Sequence, residues 1–436
     1  MIVHNEKVSD IGFKGMEVEK MKMEVYLDNA ATTRCYKAVG ELVLQMMCED
    51  YGNPSSLHLK GVEAERYVKN AREDIAKLLK VDGKELIFTS GGTESDNLAI
   101  IGGVRANHRR GNHIITTEIE HSGVLNTMKY LEEEGFEVSY LPVDEQGVID
   151  LKVLESSLRP ETILVSIMHV NNEVGSIQAL EEIGKIVKGY DASILFHSDG
   201  VQGFGKCVIY PKKIGLDMYS VSAHKIHGPK GVGFLYKDER AKILPISYGG
   251  GQQRGLRSGT DNVPGIVGLS LAAKMIYENI EEKQKYLFEL KTYFIEKIRK
   301  IEDVYVVGST SDDVVARNVD IVSASGGIDA NGIACPIKKG MEKQIPHIIN
   351  VSFKGVSSEV LLHALEEKGV YVSSGSACST HGKKKSDVLQ RLNVPKKYQE
   401  GSIRISMSEF TTKEEIDYTL EILYNCIPML RRFKRK

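Results

Sequence analysis

The sequence predicts an α/β protein with a mostly parallel seven-stranded sheet and a second, smaller α+β unit. Between residues 86 and 237, seven short apolar runs (86–89, 113–119, 138–143, 162–170, 194–197, 218–222 and 232–236) alternate with amphipathic stretches. In those stretches Val124, Met128 and Leu131, then Leu180, Ile183, Ile186 and Val187, recur at near-helical spacing, as helices covering a sheet buried on both faces require. After Pro264 the rhythm changes, and 436 residues exceed what one ordinary core organises.

Taken in order, residues 1–24 mix charged and isolated apolar residues and read as a flexible extension. A working start at Met23, or a docking tail, would each account for it. The first strand is Val25-Tyr26-Leu27, and a large unit spans residues 25–280. Beyond it come helix to about Ile301, strands at 304–307 and 347–353, a helix at 358–368, the Gly/Ser-rich segment 373–379, a strand at 403–407 and a terminal helix from Lys413. These form the smaller unit, residues 281–436, against which the first residues of the large unit can also pack.

Lysine and arginine (57) nearly balance aspartate and glutamate (59), so no net field draws nucleic acid or an anionic membrane. The basic end, Arg431-Arg432-Phe433-Lys434-Arg435-Lys436, reads as a solvated helix terminus that complements the helix dipole. Six cysteines without a C-x-x-C pair argue against a zinc site and a disulfide framework and for a reducing cytosol. With no signal-peptide core and no apolar run of bilayer length, the expectation is a soluble, cytoplasmic protein.

The string Ser220-Val221-Ser222-Ala223-His224-Lys225-Ile226-His227-Gly228-Pro229 puts a lysine between an apolar strand and a Gly/Pro turn, where it can form a Schiff base; most lysines are solvated surface charges. A Schiff-base cofactor of the pyridoxal kind needs a carboxylate at its ring nitrogen, a flat partner over the ring and phosphate donors at a helix start. Asp199 closes an apolar strand, where open α/β sheets form their crevices; a turn cap would place it there as well. The loop Thr89-Ser90-Gly91-Gly92-Thr93-Glu94-Ser95 offers amides and a hydroxyl to a phosphate, though a plain N-cap by Thr93 explains the same residues.

Further strings accompany these: Tyr26-Leu27-Asp28-Asn29-Ala30-Ala31-Thr32-Thr33, Gly52-Asn53-Pro54-Ser55-Ser56, Met168-His169-Val170-Asn171-Asn172-Glu173-Val174-Gly175, Arg257-Ser258-Gly259-Thr260 and Ser373-Ser374-Gly375-Ser376-Ala377-Cys378. Together they resemble, in family order from about Met23 to the C-terminus, the cysteine desulfurases of the class V aminotransferase family, which are fold-type I pyridoxal-phosphate enzymes.

The resemblance implies pyridoxal 5'-phosphate as cofactor, with Lys225 as the lysine that carries it, Asp199 at the pyridine nitrogen, His121 stacked on the ring and Gln202 at the phenolic oxygen. It assigns the phosphate to Gly92, Thr93, Ser222 and His224, and to Thr260 from a second subunit, so a homodimer follows. Arg404 and Asn172 would take the carboxylate of L-cysteine. Arginine suits that task because its planar fork binds a carboxylate in two places, yet a buried structural ion pair suits Arg404 equally well.

Cys378, flanked by small polar residues, falls in the family's nucleophile motif and would take the substrate's sulfur as a persulfide, leaving alanine, with Lys225 and His121 moving protons. The implied partner is a sulfur-acceptor protein, an iron–sulfur scaffold or a tRNA-thiolation enzyme. No standing metal site is expected; Cys378 could ligate a nascent cluster in passing. A selenocysteine lyase or another class V enzyme would use Lys225 and Asp199 in the same way. The sequence departs from the family's usual wording at Arg34 and at His197-Ser198-Asp199-Gly200-Val201-Gln202, and residues 323–346 form a longer connection that reads as a loop insertion.

Overall fold

The computed structural model describes residues 23–308, 343–375 and 386–433. The N-terminal extension, most of the 323–346 insertion, Cys378 and the last basic residues lie outside the described residues.

The chain opens with β1 (Val25–Tyr26), α1 (Lys37–Cys48) and α2 (Leu59–Leu79). The main alternation follows: β2 (Leu86–Thr89), α3 (Gly92–Asn107), β3 (His113–Thr117), α4 (Ser122–Glu133), β4 (Glu137–Leu141), α5 (Leu151–Ser157), β5 (Thr162–Ser166), α6 (Leu180–Tyr190), β6 (Leu195–Asp199), β7 (Met218–Ser222) and β8 (Gly233–Lys237). All seven strands join one sheet in the order β2-β8-β7-β6-β5-β3-β4. Only β8 runs against its neighbours; the other pairings are parallel.

Every residue of β2, β3, β5, β6 and β7 is buried, whereas edge strand β4 is mostly half-buried. That burial needs a layer on each face. Leu98, Val104, Val124, Met128 and Leu131 of α3 and α4 gather on one side, and Leu180, Ile183 and Val187 of α6 on the other. The expected strands at 113–119 and 162–170 end earlier, at Thr117 and Ser166. Ile119, Ile167, Met168 and Val170 remain buried beyond the ladder, because apolarity records burial and not strand pairing.

The long helical stretch expected from Pro264 to about Ile301 consists of two helices, α7 (Val263–Tyr277) and α8 (Ile280–Ile298). Between them Glu278 is extended (ψ 120°) and Asn279 is left-handed (φ 54°), a conformation asparagine tolerates. There follow β9 (Val304–Val306), β10 (Ile348–Phe353), α9 (Ser358–Glu366), β11 (Val370–Tyr371), α10 (Asp387–Arg391), α11 (Lys396–Gln399), β12 (Ser402–Ser406) and α12 (Lys413–Phe433). α12 starts with a reciprocal cap: Thr412 Oγ1 accepts from the Glu415 N–H at 3.2 Å, and Glu415 Oε2 from the Thr412 N–H at 2.8 Å.

Strands β12, β10 and β9 form an antiparallel sheet, and β1 pairs in parallel with β11. Val25 and Leu27 therefore join Phe294, Ile349, Val351, Ile405 and Leu423 in an apolar cluster of their own. Among the described residues, no helix is long and apolar enough to cross a membrane.

Candidate active site

From β3 the chain steps outward to edge strand β4 and returns to β5, on the other side of β3, so the strand order reverses there. Ligand crevices form beyond the carboxyl ends of strands near such a reversal. Here a cavity of about 470 Å³ opens, and it takes in Lys225, Asp199, His121, Asn172 and Arg404.

Lys225 sits in a short 3₁₀ turn directly after β7. Its Nζ donates to the carbonyls of Ala30 and Ala31, both at 2.7 Å. The same N-terminal segment is tied in twice more: Gln202 Nε2 donates to the Ala30 carbonyl at 2.9 Å, and Thr33 Oγ1 to the His224 carbonyl at 2.8 Å. The Asp28–Thr33 string thus forms one wall of the cleft.

Asp199 is the last residue of β6 and is buried. Burial raises its carboxyl, while His121, the Val201 N–H at 2.9 Å and Lys225 favour its ionised form. Two more carboxyls line the same cleft, and no local pattern announced them. Asp96, from the second turn of α3, is pushed well up by burial and then by Asp199. Among the described residues its Oδ1 has no hydrogen-bond partner, and it lies 3.6 Å from His197 Nε2, a ring that burial pushes down to about 3 and so keeps neutral. Glu120 is pushed up to about 8 by burial, although the Met168 N–H and the Thr117 hydroxyl, each at 2.8 Å, oppose the shift.

His121 caps α4, its Nδ1 accepting from the Gly123 N–H at 3.1 Å, so the ring is fixed at the cleft wall. At the other end, Gly91 (φ +154°) leads into α3, which begins at Gly92. A side chain at Gly91 would project toward Ser222 Oγ, its Cβ 3.6 Å away, and so would fill the space in front of the helix start. A second cavity of about 390 Å³ shares Gly92, Thr93, Ser222 and His224 with the first. His224, 3.1 Å from Thr32 Oγ1, is pushed down to about 4 by burial, then by Lys225 and Lys230.

A buried carboxylate, a lysine amine on the cleft floor, a fixed ring on the wall and a glycine-lined helix start fit pyridoxal phosphate. Thr260 is exposed and does not line the cleft of its own chain.

Arg404 is buried and held at both ends. Its Nη2 donates to Asp28 Oδ1 at 2.7 Å and its Nη1 to the Asn172 carbonyl at 2.9 Å, while among the described residues Nε has no partner. An ion pair thus stands at the cleft wall. Glu173, also buried, accepts at Oε2 from Ser386 Oγ at 2.6 Å. Sequence reasoning gave no role to Asp28, Asp96, Glu120 or Glu173. Asp28 and Glu173 lie inside strings that were singled out, but Asp96 and Glu120 carry no local signal.

The chain matches the aminotransferase class-V family over residues 25–334 and 324–419. A cysteine desulfurase IscS of Dictyoglomus turgidum is 42% identical over 412 residues, 94% of this chain and 96% of that protein. Another of the same name from Methanosarcina thermophila is 39% identical over 99% of this chain and 97% of its own length. Among solved structures, a NifS-like protein superposes with a TM-score of 0.82 at 38% identity, covering 94% of this chain and all (100%) of that one. A structure titled "SspA in complex with cysteine" gives 0.73 at 31% identity, over 89% and 100%. With a match along nearly its whole length and a cleft at the reversal of its sheet, the chain belongs to the class-V aminotransferase family.

Proposed function

We propose that the protein is a pyridoxal-phosphate-dependent cysteine desulfurase, converting L-cysteine to L-alanine and passing the sulfur through Cys378 to an acceptor protein. The observation that carries this reading is the convergence of Lys225, Asp199, His121 and Arg404 on one cleft, in a chain about 40% identical to cysteine desulfurases.

When bound, pyridoxal phosphate supplies an electron sink for charge developing at the substrate's α-carbon. Asp199 would hold a proton at the ring nitrogen, and the positive charge there would offset the burial that raises its carboxyl. Gln202 would meet the phenolic oxygen, and Thr93, Ser222, His224 and the amide at Gly92 would hold the phosphate. Arg404 and Asn172 orient the substrate carboxylate. Lys225, once free, moves the α-proton, and His121 is placed to give or take a proton at the sulfur. Cys378 Sγ forms a bond to that sulfur as the carbon–sulfur bond breaks. The bonding pair stays with carbon, which takes a proton to become alanine's methyl group, and Cys378 keeps the sulfur as a persulfide.

A homodimer belongs to this reading, with Thr260 serving the phosphate of the neighbouring cleft. Leu44, Met47, Tyr51, Leu57 and Leu59 form an exposed apolar run on and after α1 that a second copy would cover. A division into a cofactor part, residues 25–280, and a smaller part, residues 281–436, draws support from the apolar cluster of Phe294, Val351 and Leu423, on which β1 packs, while Val388, Leu389, Leu392 and Val394 join the cluster of the cofactor part. The acceptor is an iron–sulfur scaffold or a tRNA-thiolation enzyme. A cytoplasmic setting completes this reading, in keeping with six cysteines that include no C-x-x-C pair.

The deciding experiment measures alanine and sulfide released from L-cysteine with a reductant, for wild type, Cys378→Ala and Lys225→Ala. Equal release, lost in both variants while Cys378→Ala stays yellow, is expected. Undiminished sulfide from Cys378→Ala would remove the persulfide step and favour a lyase.

A further inference from the structure

The turn that carries both proposed ring contacts, Asp199 and Gln202, rests on two buried side chains from other strands and loops. Tyr219 in β7 and His169 after β5 are both buried, and Tyr219 Oη lies 2.8 Å from His169 Nδ1. Their rings meet edge to face at 5.9 Å. The turn lies directly against them. A Cβ at Gly200 would sit 2.0 Å from Tyr219 Cζ, and one at Gly203 would sit 2.3 Å from His169 Nδ1 and 2.9 Å from Tyr219 Oη. Neither approach leaves room for a methyl group. Backbone bonds fix the turn at this height: the His169 N–H donates to the Asp199 carbonyl, the Gly200 N–H to the Ser220 carbonyl and the Phe204 N–H to the Gly200 carbonyl, at 2.9, 2.9 and 2.8 Å.

We infer that the Tyr219–His169 pair is a positioning seat for the ring-binding turn, with Gly200 and Gly203 as the residues that let the turn settle on it. The seat sets where the Asp199 carboxylate and the Gln202 amide stand against the cofactor ring. The inference rests on the pyridoxal-phosphate reading above. The aromatic ring of Tyr219 takes the space that any side chain at position 200 would need, so the two positions are coupled: a larger residue at one requires a slimmer one at the other. The Tyr219 hydroxyl meanwhile satisfies His169, whose ring burial keeps neutral by pushing it down to about 4.

The test is a double-mutant cycle on the full chain loaded with pyridoxal phosphate: Gly200→Ala, Tyr219→Met and both together. The readouts are the pH midpoint of the bound cofactor's yellow band and its rate of loss on dilution. Gly200→Ala lifts the turn, and Tyr219→Met removes its support. Each is expected to move the midpoint by about one pH unit and speed cofactor loss about tenfold. The double variant, in which the alanine methyl enters the space the ring leaves, is expected closer to wild type than Tyr219→Met on both readouts, with the remaining difference set by the hydroxyl that His169 has lost. Single variants with the wild-type midpoint and cofactor retention, or a double variant no closer to wild type than Tyr219→Met, would overturn the seat. If Gly200→Ala does not fold, the comparison of Tyr219→Met with the double variant still decides. A wild-type protein that takes up no pyridoxal phosphate would instead remove the cofactor reading itself.

Discussion

Arg404 and Asp28, 376 residues apart in the chain, meet at 2.7 Å in the wall of the cleft. β1 pairs with β11 and brings the segment after it to β12, where the Ser406 N–H donates to the Leu27 carbonyl at 2.7 Å. Asp28 thereby holds one arm of a guanidinium whose other arm is on the Asn172 carbonyl. The ion pair is compatible with the proposed carboxylate-binding role: it aims the fork, and each Nη carries a second N–H beyond the bond it makes to Asp28 or to the Asn172 carbonyl.

Arg404→Lys keeps the charge and loses the fork. The KM for L-cysteine should rise about tenfold or more while cofactor loading, read from absorbance, stays near wild type. An unchanged KM would assign Arg404 to structure alone.

Asp199→Asn keeps the shape and removes the charge that would face the ring nitrogen. Loss of one charge-assisted hydrogen bond, about 1.5–3 kcal/mol, corresponds to a fall of roughly 10–100-fold in alanine formation, with a shifted yellow band. Steady-state kinetics and absorbance measured on the same sample would check this.

Glu120 gives a pH dependence. Its carboxyl is raised from the ordinary 4.5 to about 8 in the fold, so the folded state holds a proton that the unfolded chain releases. Stability from this group is full below about 4.5 and is lost as pH rises toward about 8. Glu120→Gln should keep the Oε1 contacts to Thr117 and Met168 and flatten that decline. Melting temperatures at pH 6 and pH 8.5 should therefore differ less in the variant than in wild type.

Ser386→Ala removes two contacts, the hydroxyl to Glu173 and the cap on α10, where the Leu389 N–H meets Ser386 Oγ at 3.3 Å. Glu173 lies against both flanks of the 376–385 segment: a Cβ at Gly375 would be 3.7 Å from its Oε2. Sulfide release should fall about tenfold with cofactor loading retained, since a lost cap costs about 1 kcal/mol and a hydrogen bond to a charged group somewhat more. Unaltered sulfide release would detach this contact from the reaction.

Legible in the residue pattern alone were the alternation of strands and helices, the position of Asp199 at a strand end, the lysine in its turn and the glycines at the start of α3. Each is a local pattern: a period, a terminus or a conformation that needs glycine. Strand ends were less legible, because residues 167–170 are as apolar as those in the ladder. Asn279, which divides α7 from α8, is one left-handed residue in an otherwise helical stretch. The fold in three dimensions adds the Ala30 and Ala31 carbonyls that receive Lys225, the buried Asp96 and Glu120 in the same cleft as Asp199, and the Tyr219 ring that leaves no room for a side chain at Gly200. The reason is physical. Burial and close approach depend on which distant segments the fold brings together, and no local spacing records that.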